Sequence, residues 1–179
     1  MQEVKAGRLD RLGELFARYS RKLYVFFYRM TGEREVSQDL VQNVFERMLK
    51  YRHTFTGEGF VTWMYHLARN VSADHFRKAG KFRFSKNLDA WSDKVTDGTQ
   101  ADAEVQKEQE LQLLHAALQK LSVEKREVLT LSRYQELKYE EIARILDCTE
   151  GAVKVRVHRA MQDLKTIYHE LLRERSYQL

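Results

Sequence analysis

Apolar residues recur along this chain at helical spacing, and polar residues fill the opposite faces. Leu9, Leu12, Phe16, Tyr19, Leu23 and Phe27 lead to a break at Met30-Thr31-Gly32. Leu40, Val41, Val44, Phe45, Met48 and Leu49 form the next stripe, with Asp39, Gln42, Asn43, Glu46 and Arg47 on its other side. A second break, Thr54 to Gly59, contains Gly57 and Gly59. Phe60, Trp63, Met64, Leu67 and Val71 then predict a third helix, whose opposite side shows His66, Arg69, Asn70, Asp74 and Arg77.

Between residues 80 and 104 the periodicity fades, and Ser, Thr, Asp, Asn and Gly accumulate as in a linker. Phe82, Phe84 and Trp91 are unusual for a pure spacer and point to local docking. The helical pattern resumes at Val105, with Leu111, Leu114, Leu118 and Leu121 as its stripe. Ser122 is placed to cap the next helix, which has Glu124 in its first turn and carries Val128, Leu129 and Leu131. No stretch alternates as a strand would, and no internal repeat is present. The fold class expected is all-α.

Residues Tyr139 to Ala160, YEEIARILDCTEGAVKVRVHRA, predict a helix, a tight turn and a second helix. Ile142, Ala143, Ile145 and Leu146 give the first helix its buried side, Asp147-Cys148 make the turn, and Thr149 is placed as an N-cap. On a helical wheel, Val157, Ala160, Met161 and Leu164 lie within about 80° of Val153. Gly151, Val155, His158 and Arg159 take the far side, flanked by Lys154 and Arg156. Two readings fit: a helix-turn-helix presenting that face to a DNA major groove, or an amphipathic hairpin with a solvated basic face. In the first, Lys154 or Arg159 donates to guanine or to phosphate, Val155 touches a thymine methyl, and Gly151 lets backbone N–H groups approach a phosphate.

Composition narrows the class. The chain has 179 residues, no proline, 43% hydrophobic and 32% charged residues, a balance expected of a helical soluble protein. No apolar run reaches the roughly 20 residues of a membrane span, and the N-terminus lacks a signal-peptide core, so a cytoplasmic location is expected. The single Cys148 excludes an intramolecular disulfide and a Cys-rich zinc site, and reads as a small hydrophobe at the turn. Charge falls into three zones. Residues 1–86 hold 17 Lys and Arg against 9 Asp and Glu, residues 87–110 hold 2 against 7, and residues 111–179 hold 12 against 10. The basic front fits a polyanionic partner or a solvated surface equally well. The sequence offers no phosphate-binding glycine loop, catalytic triad or metal-ligand spacing, so neither an enzyme nor a cofactor is expected.

The two halves together resemble the extracytoplasmic-function (group IV) sigma factors of bacterial RNA polymerase, from about Leu9 to Leu172. LYVFFYRMTG, DLVQNVFERMLK and FVTWMYHLARNVSADHFRK are similar to the region-two helices. ALQKLSVEKREVLTL and YEEIARILDCTEGAVKVRVHRAMQDL are similar to region four. The resemblance implies two small helical domains, a three- or four-helix bundle at 1–80 and a helix-turn-helix domain at 110–179, joined by a flexible linker at 81–109. It implies that region two binds the polymerase clamp and opens the −10 element, and that region four binds the flap and reads the −35 element. An anti-sigma factor is a further implied partner. No membrane insertion is implied, and the protein is expected at the nucleoid.

Carried over by position, the resemblance puts clamp binding on Asp39, Gln42 and Asn43, with Phe45 packed inside; the family more usually has an acidic residue where Asn43 stands. It puts −10 recognition on the helix from Trp63 to Lys78. Asn70 and Asp74 would line the pocket for an extruded base, Arg69, Arg77 and Lys78 would meet phosphates, and a loop at about Thr54 to Phe60 would receive the base. Trp63 is either core, sharing the stripe of Phe60 and Leu67, or a stacking platform. Lys154, Val155, His158 and Arg159 fall on the −35 base-facing positions, and Tyr139, Glu140, Thr149 and Arg156 near the DNA backbone. Val155 stands where a small polar residue is common, and Leu121-Ser122 replaces the usual Leu-Pro. The acidic run from Asp89 to Glu110 is a solvated tether or a segment that occupies a basic channel of the polymerase. The rival functions are a stand-alone helix-turn-helix regulator and a helical protein-binding adaptor.

Overall fold

A computed structural model describes residues 1–83 and 102–176. Among the described residues there are eight α-helices and no strand: α1 (Gln2–Lys5), α2 (Leu12–Thr31), α3 (Arg34–Lys50), α4 (Phe60–Arg83), α5 (Asp102–Lys120), α6 (Val123–Leu129), α7 (Tyr139–Leu146) and α8 (Glu150–Ser176). Two helix ends extend the expected pattern. α4 continues to Arg83 and α5 begins at Asp102, three residues before the apolar stripe resumes. Glu, Gln, Lys and Ala hold helix well without any buried face, so periodicity alone does not mark such ends. The docking expected of Phe82, Phe84 and Trp91 lies outside what is described, as does most of the acidic run from Asp89.

In the front half, α2 packs on α3 and α3 on α4. Most of each stripe read from sequence is packed: Leu23, Phe27, Leu40, Val41, Val44, Phe45, Met48, Met64, Leu67 and Val71 are all buried, whereas Leu9 and Phe16, at the start of the first stripe, are exposed. Each such side chain contributes about 1.5–3 kcal/mol by leaving water. α2 stops at Gly32, whose φ of 78° is left-handed and whose N–H donates to the Tyr28 carbonyl.

In the back half, α8 is the long spine against which α5, α6 and α7 pack. Ser122 caps α6, its Oγ accepting from the Lys125 N–H. The chain then widens into one π-helical turn, Thr130–Tyr134, and Thr130 Oγ1 donates to the Arg126 carbonyl at 2.8 Å. The Glu141 carboxylate accepts from the Lys138 N–H at 2.9 Å and so ties the start of α7.

The halves also pack on each other. α4 meets α7, and α2 meets α5, α6 and the π turn, so one continuous apolar core runs from Leu23 to Leu164. The seam is polar and specific. Arg126, 7% exposed, donates to the carbonyls of Met30, Gln119 and Leu121 and to Gln119 Oε1. Gln119 Nε2 donates to the Arg29 carbonyl at 3.0 Å. The C-terminal carbonyls of a front-half helix are thus satisfied by back-half side chains. Gly32 also lies close to this seam, where a Cβ on it would stand 3.3 Å from Gln119 Cδ.

Candidate nucleic-acid interface

The helix-turn-helix is built by local chemistry. α7 ends where Asp147 adopts a left-handed φ of 51°, a conformation Asp tolerates better than most residues. The Cys148 N–H donates to the Ala143 carbonyl at 3.0 Å, and Cys148 itself is half-buried. Thr149 Oγ1 accepts from the Ala152 N–H at 3.1 Å and starts α8. Val153, Val157, Ala160 and Leu164 are buried, as the wheel requires.

Val155, His158 and Arg159 opposite them, and Lys154 and Arg156 on the flanks, are all exposed on the first turns of α8. Val155 keeps 49% of its surface exposed. Lys154 pairs with Glu150 at 3.2 Å, an exposed contact weak enough to be exchanged for a phosphate. Glu140 is exposed and pairs with Arg144 at 3.5 Å; Tyr139 is half-buried against the core. The eight positions expected near the −35 element therefore lie on α7, the turn and α8, five of them on one open basic face.

The front-half residues are distributed less simply. Asp39, Gln42 and Asn43 are exposed together on α3, and Phe45 is buried beneath them. Asn43 also lines a polar cleft of about 360 Å³ with Glu46, Arg47, Lys50, Tyr51 and Asp74. The cleft joins a residue expected at the clamp to one expected at the −10 base. Asp74 accepts from Arg47 at 2.6 Å and from Arg77 at 2.5 Å. The Arg47 hydrogen bond, with the charges of Arg47, Arg77 and Lys78, holds its carboxyl below the usual carboxylate range. Arg47 is an addition to the expected set. Sequence shows it only as one charge on an outer face, and nothing local reveals that α4 brings Asp74 to it.

Asn70 and Lys78 are exposed on α4, and Asn70 Nδ2 lies 3.5 Å from His66 Nδ1. Arg69 is engaged across the seam, with its Nε 3.3 Å from Glu127 Oε2. Burial pushes the Glu127 carboxyl upward, and Arg69 pulls it back only in part. Tyr65, one turn before Arg69, donates its hydroxyl to Gln135 Oε1 at 2.5 Å, and burial raises its ionisation well above the ordinary range. Trp63 is half-buried among Phe55 and Phe60, and its Nε1 donates to Thr54 Oγ1 at 3.2 Å. It braces the 54–60 loop as part of the aromatic core.

Among the described residues no group of His, Cys, Asp and Glu could hold a metal ion, and no helix is long and apolar enough to cross a membrane. What the geometry defines is an all-helical protein with a helix-turn-helix, an open basic face on α8 and a second polar surface on α3 and α4.

Comparison with known proteins makes the class specific. The family model for Sigma-70 region 2 matches residues 15–82, and that for Sigma-70, region 4 matches residues 111–164. The chain is 32% identical over 164 residues to the ECF RNA polymerase sigma factor SigX of Bacillus subtilis, covering 89% of this chain and 84% of SigX. It is 33% identical over 175 residues to the ECF RNA polymerase sigma factor BldN of Streptomyces coelicolor, covering 92% of this chain but only 62% of BldN. The sigma factor RpoE from Bartonella quintana, solved in complex with the anti-sigma factor NepR, shares the fold with a TM-score of 0.68 at 23% identity over 87% of this chain and 94% of that one. The chain belongs to the extracytoplasmic-function sigma factors of RNA polymerase, and is an alternative sigma factor that directs promoter-specific transcription.

Proposed function

We propose that the chain is a non-catalytic specificity subunit that binds core RNA polymerase, recognises a two-part promoter and captures melted −10 bases. The observation that carries this reading is the open basic face of α8, with Val155, His158 and Arg159 exposed opposite the buried Val153, Val157 and Ala160, and Lys154 exposed beside them. That face docks in the major groove of the −35 element, with Tyr139, Glu140, Thr149 and Arg156 along the backbone. Asn70 and Asp74 line the pocket for an extruded −10 base, Arg69, Arg77 and Lys78 hold phosphates, and the 54–60 loop closes over the base. Unstacking costs a few kcal/mol, which a polar-edged pocket offsets.

Asp39, Gln42 and Asn43 bind the polymerase clamp. An apolar cleft between α5 and α8, lined by Leu111, Leu114, Met161, Leu164 and Tyr168, gives the flap its docking surface. The working units are residues 1–80, the linker 81–109, and residues 110–179. An anti-sigma factor holds the protein inactive, by analogy with the Bartonella quintana complex. No cofactor takes part, and catalysis resides in the polymerase. Acting on chromosomal promoters, the protein works in the cytoplasm at the nucleoid.

The test is in vitro transcription from genomic promoters with core enzyme, beside pull-down of core polymerase. Promoter-specific transcripts that depend on this chain are the expected result. Specific duplex binding without core binding would identify a stand-alone regulator instead. Unchanged transcription after charge reversal at Lys154 and Arg159 would favour a protein-binding adaptor.

A further inference from the structure

Helix α1 lies against the loop that joins α3 to α4. Val4 is fully buried. The Lys5 ammonium donates to the Phe55 carbonyl at 2.6 Å, and Gln2 Nε2 donates to the Gly57 carbonyl at 3.4 Å. Gly57 has a φ of +105°, and a Cβ on it would stand 3.2 Å from Gln2 Nε2. α1 is tied in turn to the start of α2, because Glu3 pairs with Arg8 at 2.7 Å and with Arg11 at 3.2 Å.

A four-residue helix has no stability of its own in water, so α1 exists because Val4 is buried and its polar ends are anchored. The loop has the converse problem. Gly57 and Gly59 both sit at positive φ, where glycine leaves the backbone free to move. Its far side is fixed by Phe55, 3% exposed and packed on Phe60 and Trp63. Its carbonyl side is fixed by Gln2 and Lys5. Such support from behind is what a loop needs to discriminate between bases, because a site that relaxes around any ligand selects none.

We propose that Gln2, Val4 and Lys5 are positioning residues that set the shape of the 54–60 loop and thereby the base preference at the extruded −10 position. The inference rests on that loop and Asn70 being the −10 reader. None of the three residues touches DNA; they act through the backbone of Phe55 and Gly57.

The experiment uses the full chain with core polymerase on four templates that differ only at the extruded base. Open-complex formation is read by permanganate reactivity, and the quantity compared is the ratio of preferred to non-preferred bases. Losing the charged hydrogen bond in Lys5→Met should reduce this ratio about fivefold to tenfold. Lys5→Arg should retain it, and −35 duplex binding should not change. Val4→Ala, which loosens α1 without altering charge, should shift the ratio in the same direction. An unchanged ratio in both Lys5→Met and Val4→Ala overturns the inference, as does an equal loss on all four templates. Asn70→Ala separates the two layers. If it collapses the ratio while Lys5→Met and Val4→Ala do not, only the bracing role fails; if it too has no effect, the −10 assignment itself fails.

Discussion

The Arg126 guanidinium donates a hydrogen bond to the Met30 carbonyl, 96 positions earlier in the chain. Its hydrogen-bond partners among the described residues are carbonyl oxygens rather than carboxylates. It therefore stays a buried cation, its two terminal nitrogens satisfied by the end of α2 and by the α5–α6 turn, while its Nε is buried without a partner. The C-terminal end of a helix carries partial negative charge, which suits a guanidinium there. Burial lowers the Arg126 ionisation somewhat, yet an arginine remains charged at neutral pH.

Arg126→Met should release this latch. Three carbonyls lose their donor, and unsatisfied buried groups cost about 1–3 kcal/mol each unless water reaches them. The expected outcome is a loss of about 2–4 kcal/mol in stability, relieved partly by the halves moving apart. Thermal unfolding, together with the distance between fluorophores on α3 and α8, checks both parts. An unchanged midpoint and an unchanged distance would show that the seam does not depend on Arg126.

His115 makes the same seam sensitive to pH. Its ring stacks on Tyr28 with centroids 4.9 Å apart, and its Nε2 is buried without a hydrogen-bond partner. Burial, with the nearby charges of Arg29 and Arg126, lowers its pKa below 6.5 against a smaller opposing contribution from Tyr28. The unfolded chain therefore takes up the proton first as pH falls, and stability is lost progressively below about pH 6.5. Glu127 acts in the opposite sense. Its raised pKa means that the folded state gains stability as pH falls from the folded value toward 4.5. Unfolding curves between pH 7.5 and 5 should show His115→Phe flattening the loss. A parallel pH dependence in parent and variant would assign it elsewhere.

Promoter choice should separate into uniform and base-specific effects along α8. Arg156→Ala should weaken −35 binding on all sequences and reduce the salt slope by about 0.9 if Arg156 neutralises one phosphate. Val155→Ser should exchange a methyl contact for a hydrogen bond and change the preferred base at one position, by about 1–3 kcal/mol. Binding to a duplex library at two salt concentrations distinguishes them. A Val155→Ser variant with the parent's base preferences would remove that side chain from base reading.

Most of the helical architecture is legible in the chain because a buried stripe repeats every three or four residues. Leu40 to Met48 and Val153 to Leu164 are buried where the periodicity placed them. The turn of the helix-turn-helix was legible for a different reason. Asp147 and Thr149 act within a few residues of themselves, so their chemistry needs no tertiary context. α1 was not legible, since four residues are too few to display a period. Nor was the engagement of Asp74 by Arg47, or of Arg69 by Glu127, because single charges on outer faces carry no signal of what another helix will bring to them.

By itself the sequence determined most of the residues that face inward, the stops at Gly32 and at Asp147, and which face of α8 is free for a major groove. These follow from propensity, periodicity and capping, all of which operate over a turn or two. Tertiary structure alone decided that Arg126 holds Met30, that Glu127 occupies Arg69, and that Lys5 supports Phe55. Those contacts join residues 50 to 96 positions apart. Their existence depends on how packed faces are rotated and set against one another, and the desolvation of each polar group is fixed only once that packing is complete.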